Sequence, residues 1–191
     1  MDQKSVLKRY YNRSRDSFLW KLEGLSERRL RMPLTPTGTN LLGLLKHVAS
    51  VDVGYLGLVF GRPFSHPVQE RIDADPVTDM WAAADEPAEL IKDFARQAWA
   101  HTDRTIEELD LDATGRVPWW GPDSPDVTLH WILVHVISEN AQHLGHADVV
   151  RELTDGLVGL RRDATNLPEL TEQDWADHTG RLQAIAESFP A

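Results

Sequence analysis

The chain contains no cysteine. That excludes disulfides, thiolate metal sites and a cysteine nucleophile, so a metal would have to be held by His, Asp and Glu, and thiol chemistry would need sulfur from another molecule. Nor is there an excess of basic charge: 20 Lys and Arg stand against 30 Asp and Glu, for a net charge of −10. A surface of that sign repels phosphate backbones, which argues against nucleic acid as a partner. No apolar run reaches the roughly 20 residues of a membrane-spanning helix. The first ten residues have no apolar signal region, so the reading is a cytoplasmic protein without a membrane partner. No alternating run marks a strand, and no internal repeat is found.

Against these absences stand 8 His and 7 Trp in 191 residues. The length suits one domain with a small appendage. Helical periodicity dominates. The first helix is expected over 3–30, with Leu7, Tyr11, Ser14, Phe18, Leu22 and Leu25 on one face, before Pro33 and Pro36 break the chain. A second, apolar almost all round, is expected from a Thr39 cap to Phe60, joined to the first by a connection short enough for antiparallel neighbours. Residues 61–84 read as an irregular crossover. Asp85-Glu86-Pro87 reads as the start of a third helix, acids in its first turn, running to Leu109. After a second long connection, Asp126 or Thr128 caps the fourth and longest helix, which runs to Thr154 with Gly156 as its stop. Thr171 and Asp174 resemble a capping box for a short helix over 172–188, where Trp175 can anchor it. This is an all-α four-helix bundle, residues 1–160, with a C-terminal extension, 161–191, packed on it.

On the fourth helix, His135, Glu139 and His143 fall at roughly 0°, 40° and 80°, with His146 at about 20°, for 100° per residue. Ile132 and Val150 share that arc, so it reads as the core face. Leaving four polar groups buried there without partners costs about 1–3 kcal/mol each. A metal ion satisfies such a cluster, and so does a hydrogen-bonded buried network. Glu139 and His143, at i and i+4, can reach one ion, and a third ligand would come from a facing helix. The second helix offers His47 on an otherwise small or aliphatic stripe, with Gly43 and Gly54 leaving space beside it. His101 reads as a satisfied core histidine, His66 and His178 as surface or loop residues, and His130 as a capping or packing residue.

Leu44-Leu45-Lys46-His47-Val48-Ala49, joined to Glu139-Asn140-Ala141-Gln142-His143-Leu144-Gly145-His146, resembles the DinB/YfiT-like superfamily. More narrowly it is similar to the actinobacterial mini-circle-type branch, near the mycothiol-dependent maleylpyruvate isomerases. The loops Leu34-Thr35-Pro36-Thr37-Gly38-Thr39-Asn40, Phe60-Gly61-Arg62-Pro63 and Arg116-Val117-Pro118-Trp119-Trp120 carry the same resemblance. It implies an up-down-down-up bundle and a divalent metal, zinc first and nickel second, held near one end. Position by position, it implies His47, Glu139 and His143 as ligands. Many superfamily members have three histidines there; Glu139 stands in the middle position, as in isomerase-like relatives. His146 replaces a common Gln and is assigned, with His135, to the shell around the ligands.

Three protein ligands leave a coordination position open, as catalytic sites do. The resemblance implies that a low-molecular-weight thiol, mycothiol, arrives there as cosubstrate and attacks a small electrophile by S-transfer or isomerisation. Catalysis is then metal-centred, with no protein nucleophile assigned. Trp119 and Trp120 could wall the pocket or simply plug the bundle end, and Arg116 could meet an anionic substrate. A non-catalytic metal- or ligand-binding module and a metal-dependent hydrolase are the alternatives, and the chain is read as a monomer or homodimer.

Overall fold

The computed structural model describes residues 2–190, and its elements follow from local signals in most places. Helix α1 (Gln3–Leu22) opens on Asp2, whose side chain accepts the Ser5 N–H. It does not reach residue 30. Gly24, at φ 73°, turns the chain, and Ser26 caps a separate short helix, α2 (Glu27–Arg31). Helix α3 (Leu41–Leu56) starts one residue later than a Thr39 cap would set it: Asn40 Oδ1 accepts the Gly43 N–H at 2.8 Å. It stops at Gly57, and Leu58–Phe60 form a separate 3-10 turn.

The crossover 61–84 is not irregular. It holds α4 (Pro67–Ala74) and a 3-10 turn over Pro76–Met80, each with Pro in its first turn. Helix α5 (Ala88–Glu108) is also capped differently from expectation. Its Ala88 N–H is taken by Glu27 of α2 at 2.6 Å, while Glu86 turns inward to a buried ion pair with Lys46 at 2.9 Å. Two residues each of β1 (Thr114–Gly115) and β2 (Val127–Thr128) pair antiparallel, Thr114 with Thr128 and Gly115 with Val127. Helix α6 (Leu129–Asp155) then starts at a Thr128 cap and ends at Gly156, φ 78°. Helix α7 (Glu172–Glu187) has the capping box of Thr171 and Asp174.

The expected antiparallel pairing of the first two long helices is slight; α1 lies chiefly against α6, and α3 against α5 and then α6. Residues Leu41–Phe60 are long and apolar enough to cross a membrane by composition, contrary to the sequence reading, but 72% of the most apolar stretch is buried inside the bundle. It is the helix around which the core is built. That core has two apolar clusters. One holds Phe18, Leu45, Phe94 and Leu144, the other Leu56, Ile106, Leu133 and Val136. At the level between them each long helix contributes a polar side chain: Arg15, Asp52, Thr102 and Asn140, all buried. Helix α7 buries no side chain; its partly buried Trp175 and exposed Thr179 line a cavity of about 540 Å³ with Lys21 and Asp148.

Candidate metal centre

Helix α3 brings His47 to the seam with α6, which presents Glu139 and His143 one turn apart. One donor atom from each of the three lies within 4.8 Å of the others. His47 Nε2 stands 3.9 Å from Glu139 Oε1, His143 Nε2 stands 3.1 Å from the same oxygen, and the two imidazole rings are 4.6 Å apart. All three are partly buried.

Asp79 completes the arrangement. Its Oδ2 lies 2.7 Å from His47 Nδ1, and the proton belongs on that nitrogen because a carboxylate can only accept. In the neutral ring the lone pair is then on Nε2, which faces a carboxylate oxygen. Asp79 reaches His47 because the turn Pro76–Met80 lies directly on α3: a Cβ built on Gly43 would fall 1.8 Å from the Met80 carbonyl oxygen. Only glycine permits that approach.

His143 has the complementary problem. Its Nδ1 is buried and has no partner. If Nε2–H donates to Glu139, Nδ1 is an orphaned acceptor; if Nδ1 carries the proton, Nε2 and Glu139 oppose lone pairs. Burial, and next the neighbouring His47, push the His143 imidazole below its ordinary pKa and so favour the neutral, ligating form. Two imidazole nitrogens and a carboxylate oxygen converging on one point fit a divalent cation.

The stripe on α6 is not the core face. The buried residues of α6 are Leu129, Ile132, Leu133, Val136, Asn140, Leu144, Ala147, Val150 and Arg151. The histidine arc therefore lies along the margin of the buried face, where polar groups keep access to solvent, and only Ile132 and Val150 from that arc are buried. His135 stacks edge-on to Tyr55 at 4.6 Å and to Trp120 at 5.4 Å. His146 is exposed, its ring 5.4 Å from that of His143.

A cavity of about 800 Å³ adjoins the cluster, and Glu139, Asp79, His135 and Trp119 stand in its wall. Trp119 Nε1 and Trp120 Nε1 both donate to the Tyr55 hydroxyl, at 3.2 and 3.0 Å. Gly54 leaves Trp119 at van der Waals distance from α3, 3.5 Å from where a Cβ would be. Arg116 is exposed and donates to the Pro122 carbonyl, outside this cavity.

The remaining histidines are elsewhere. His101 Nε2 meets the Arg62 carbonyl at 2.8 Å. His66 is buried rather than on the surface: its Nδ1 accepts the Val68 N–H to cap α4, and burial lowers its pKa. His130 and His178 are exposed, His178 on α7.

Tyr55 and Asp79 were not singled out by the sequence reading. Tyr55 had a signal, since His47, Val51 and Tyr55 repeat at four-residue spacing on one face of α3. Asp79 had none, because the docking of its turn on Gly43 is a tertiary contact.

No curated protein matches the chain. A solved structure described as a conserved protein from Enterococcus faecalis shares the fold, with a TM-score of 0.57 at 17% identity, over 82% of this chain and 99% of that one. The family model for mycothiol-S-transferase matches residues 6–156, from α1 to the end of α6 and so through every residue of the cluster. The chain belongs to the mycothiol-S-transferase family, a DinB-like family as its motifs had suggested.

Proposed function

We propose that this chain is a metal-dependent thiol S-transferase: His47, Glu139 and His143 hold a divalent cation, zinc first and nickel second, and mycothiol binds beside it. The observation that supports this reading most is the convergence of His47 Nε2, Glu139 Oε1 and His143 next to an 800 Å³ cavity, in a chain with no sulfur nucleophile of its own. When bound, such a cation lowers the pKa of a coordinating thiol, so that the sulfur is present as thiolate.

The chain's own residues do the rest. Asp79 holds the His47 ring in one tautomer and one orientation. Trp119, fixed through Tyr55, and the apolar wall of the cavity exclude water from the electrophile and hold it against the sulfur. In S-transfer a carbon–sulfur bond forms as the bond to the leaving group breaks, the electron pair departs with that group, and the thiol proton goes to solvent. Isomerisation uses the same attack on a conjugated double bond, followed by rotation and loss of the thiol.

The test is thiol- and metal-dependent turnover. Purified protein should conjugate mycothiol to a fluorogenic alkyl halide, lose the activity on chelation and regain it on re-metallation. The rate should rise with pH at a pKa below the roughly 8.5 of a free thiol. Turnover that persists without any thiol overturns this reading in favour of hydrolysis. A fully metallated protein that accelerates no thiol reaction leaves a binding module.

A further inference from the structure

The cavity wall says something about the electrophile itself. Its apolar part includes Val51, Leu58, Phe64, Ile72 and Trp119. Its ionisable part is mostly acidic: Asp73 and Asp79 from the crossover and Glu139 from α6, beside the Tyr55 hydroxyl and the His135 imidazole, which packs edge-on to Tyr55 and Trp120. Among the described residues no lysine or arginine lines it.

The nearest cations are committed elsewhere. Lys46, beside His47 in sequence, is buried on Glu86; Arg71 of α4 forms a two-pronged pair with Asp85; Arg62 pairs with Glu108. A divalent ion in the cluster does not change the sign. Its two charges are offset by Glu139 and Asp79, and an incoming thiolate and Asp73 leave the site net negative. Apolar walls focus that field on whatever enters.

Gln69 adds a second observation. Its Nε2 donates to Asp73 Oδ1 at 2.8 Å, which fixes the amide so that Oε1 is the free end. That oxygen is buried, belongs to a residue of the cavity wall, and has no hydrogen-bond partner. An unpaired buried acceptor suits a ligand with an N–H or O–H and opposes a carboxylate.

Resting on the transferase reading for what occupies the cavity, we propose that its second substrate is an uncharged, largely apolar electrophile bearing an N–H or O–H group, and that Asp73 with Gln69 turns carboxylate substrates away. Asp73 is exposed on α4 and makes no contact with the three clustered ligands, so it is a specificity residue rather than part of the metal centre.

The experiment compares binding of 2-naphthamide and 2-naphthoate, which share ring and size and differ in charge and in the donor group. Calorimetric titration of the purified protein at pH 8 is repeated after chelation, so that direct ligation of the carboxylate is read separately. The amide should bind at least ~10-fold tighter than the acid in the chelated protein, as roughly a kcal/mol or more of repulsion and a lost hydrogen bond require. Asp73→Asn should tighten naphthoate several-fold and leave naphthamide within about twofold. Equal affinities in the chelated wild type, or an unchanged naphthoate affinity in Asp73→Asn, overturn the proposal. Neither measurement needs thiol or turnover. A protein that discriminates the pair but performs no thiol transfer loses the transferase reading and keeps the cavity's preference for an uncharged, donor-bearing ligand, and one that transfers thiol without discriminating the pair keeps the first and loses the second.

Discussion

Asp52 and His47 stand little more than one turn apart on α3, and Asn140 and Glu139 are adjacent on α6, yet the two pairs belong to polar clusters of opposite character. In the inner cluster donors meet acceptors, and only Arg15 Nε and Asn140 Oδ1 are left without a hydrogen-bond partner. Asp52 accepts from Tyr11 at 2.7 Å and from Asn140 at 3.2 Å, and the Arg15 guanidinium lies over the Tyr11 ring at 3.6 Å while bonding Thr102 and Asp103. In the outer cluster, three groups able to ligate a metal face one another. His47, Glu139 and His143 converge, with His143 Nε2 3.1 Å from Glu139 Oε1, Asp79 pairs with His47 Nδ1 from behind, and His143 Nδ1 is left without a partner. The inner network joins four helices and specifies their register. The outer one lies at the margin of the bundle beside a cavity. The same two helices supply both because neighbouring residues point about 100° apart, one into the core and the next to the seam.

The contrast is sharpest in the ligand variants. His47→Ala, Glu139→Ala and His143→Ala should each strip the metal, with affinity falling by more than the ~100-fold seen when supporting groups are changed. The metal-free melting temperature should barely move, and His178→Ala should change neither. Elemental analysis with calorimetry checks both. Full metal content in the His47 variant would break the three-ligand centre.

Next in size is the inner cluster. Asp52→Ala leaves Arg15 short of a counter-charge and Tyr11 and Asn140 short of an acceptor, and should cost about 3–5 kcal/mol in denaturant unfolding. A loss below about 1 kcal/mol would show that the inner layer does not hold the helices together.

The inner layer also has a pH signature. Burial raises the Asp52 pKa from 3.8 to about 6, against the opposing pull of Arg15 and the Tyr11 and Asn140 hydrogen bonds. Between these two values the folded chain keeps a proton that the unfolded chain has released. Its stability therefore falls as pH rises through that window, by about 3 kcal/mol at most. Asp52→Asn removes the titration, so wild type should lose stability relative to the variant from pH 4 to 6 and run parallel to it above. Parallel curves throughout would place an ordinary carboxylate at Asp52.

The smallest expected effects link the crossover to the outer cluster. Asp79→Asn weakens the hold on the His47 tautomer, and Gly43→Ala pushes Met80, and with it Asp79, off α3. Each should lower metal affinity by roughly 10–100-fold without removing a ligand. An unchanged affinity in Gly43→Ala would separate the docking of the turn from the metal centre.

Much of this is local and therefore written in the sequence. The missing cysteines decide what kind of donor set is available. The i, i+4 spacing of Glu139 and His143 places them on one side of a helix wherever that helix packs. Thr128, Gly156 and the Thr171–Asp174 box mark helix ends through bonds that span a turn or less. Other features depend on how elements meet. Periodicity puts the histidine stripe on one arc but cannot say whether that arc is core or margin, since α6 carries apolar residues on both sides of it. The break at Gly24 and the Glu27 cap on α5 depend on α2 packing against the next helix start. Asp79 reaches His47 only because Gly43 lets a turn of the crossover lie against α3, and Tyr55 gathers two indoles from a loop more than sixty residues away. Sequence determines what each segment presents on its own faces, through bonds and periods a few residues long. Which faces meet, and so which ligating groups face one another, is decided by packing between segments that no local period connects.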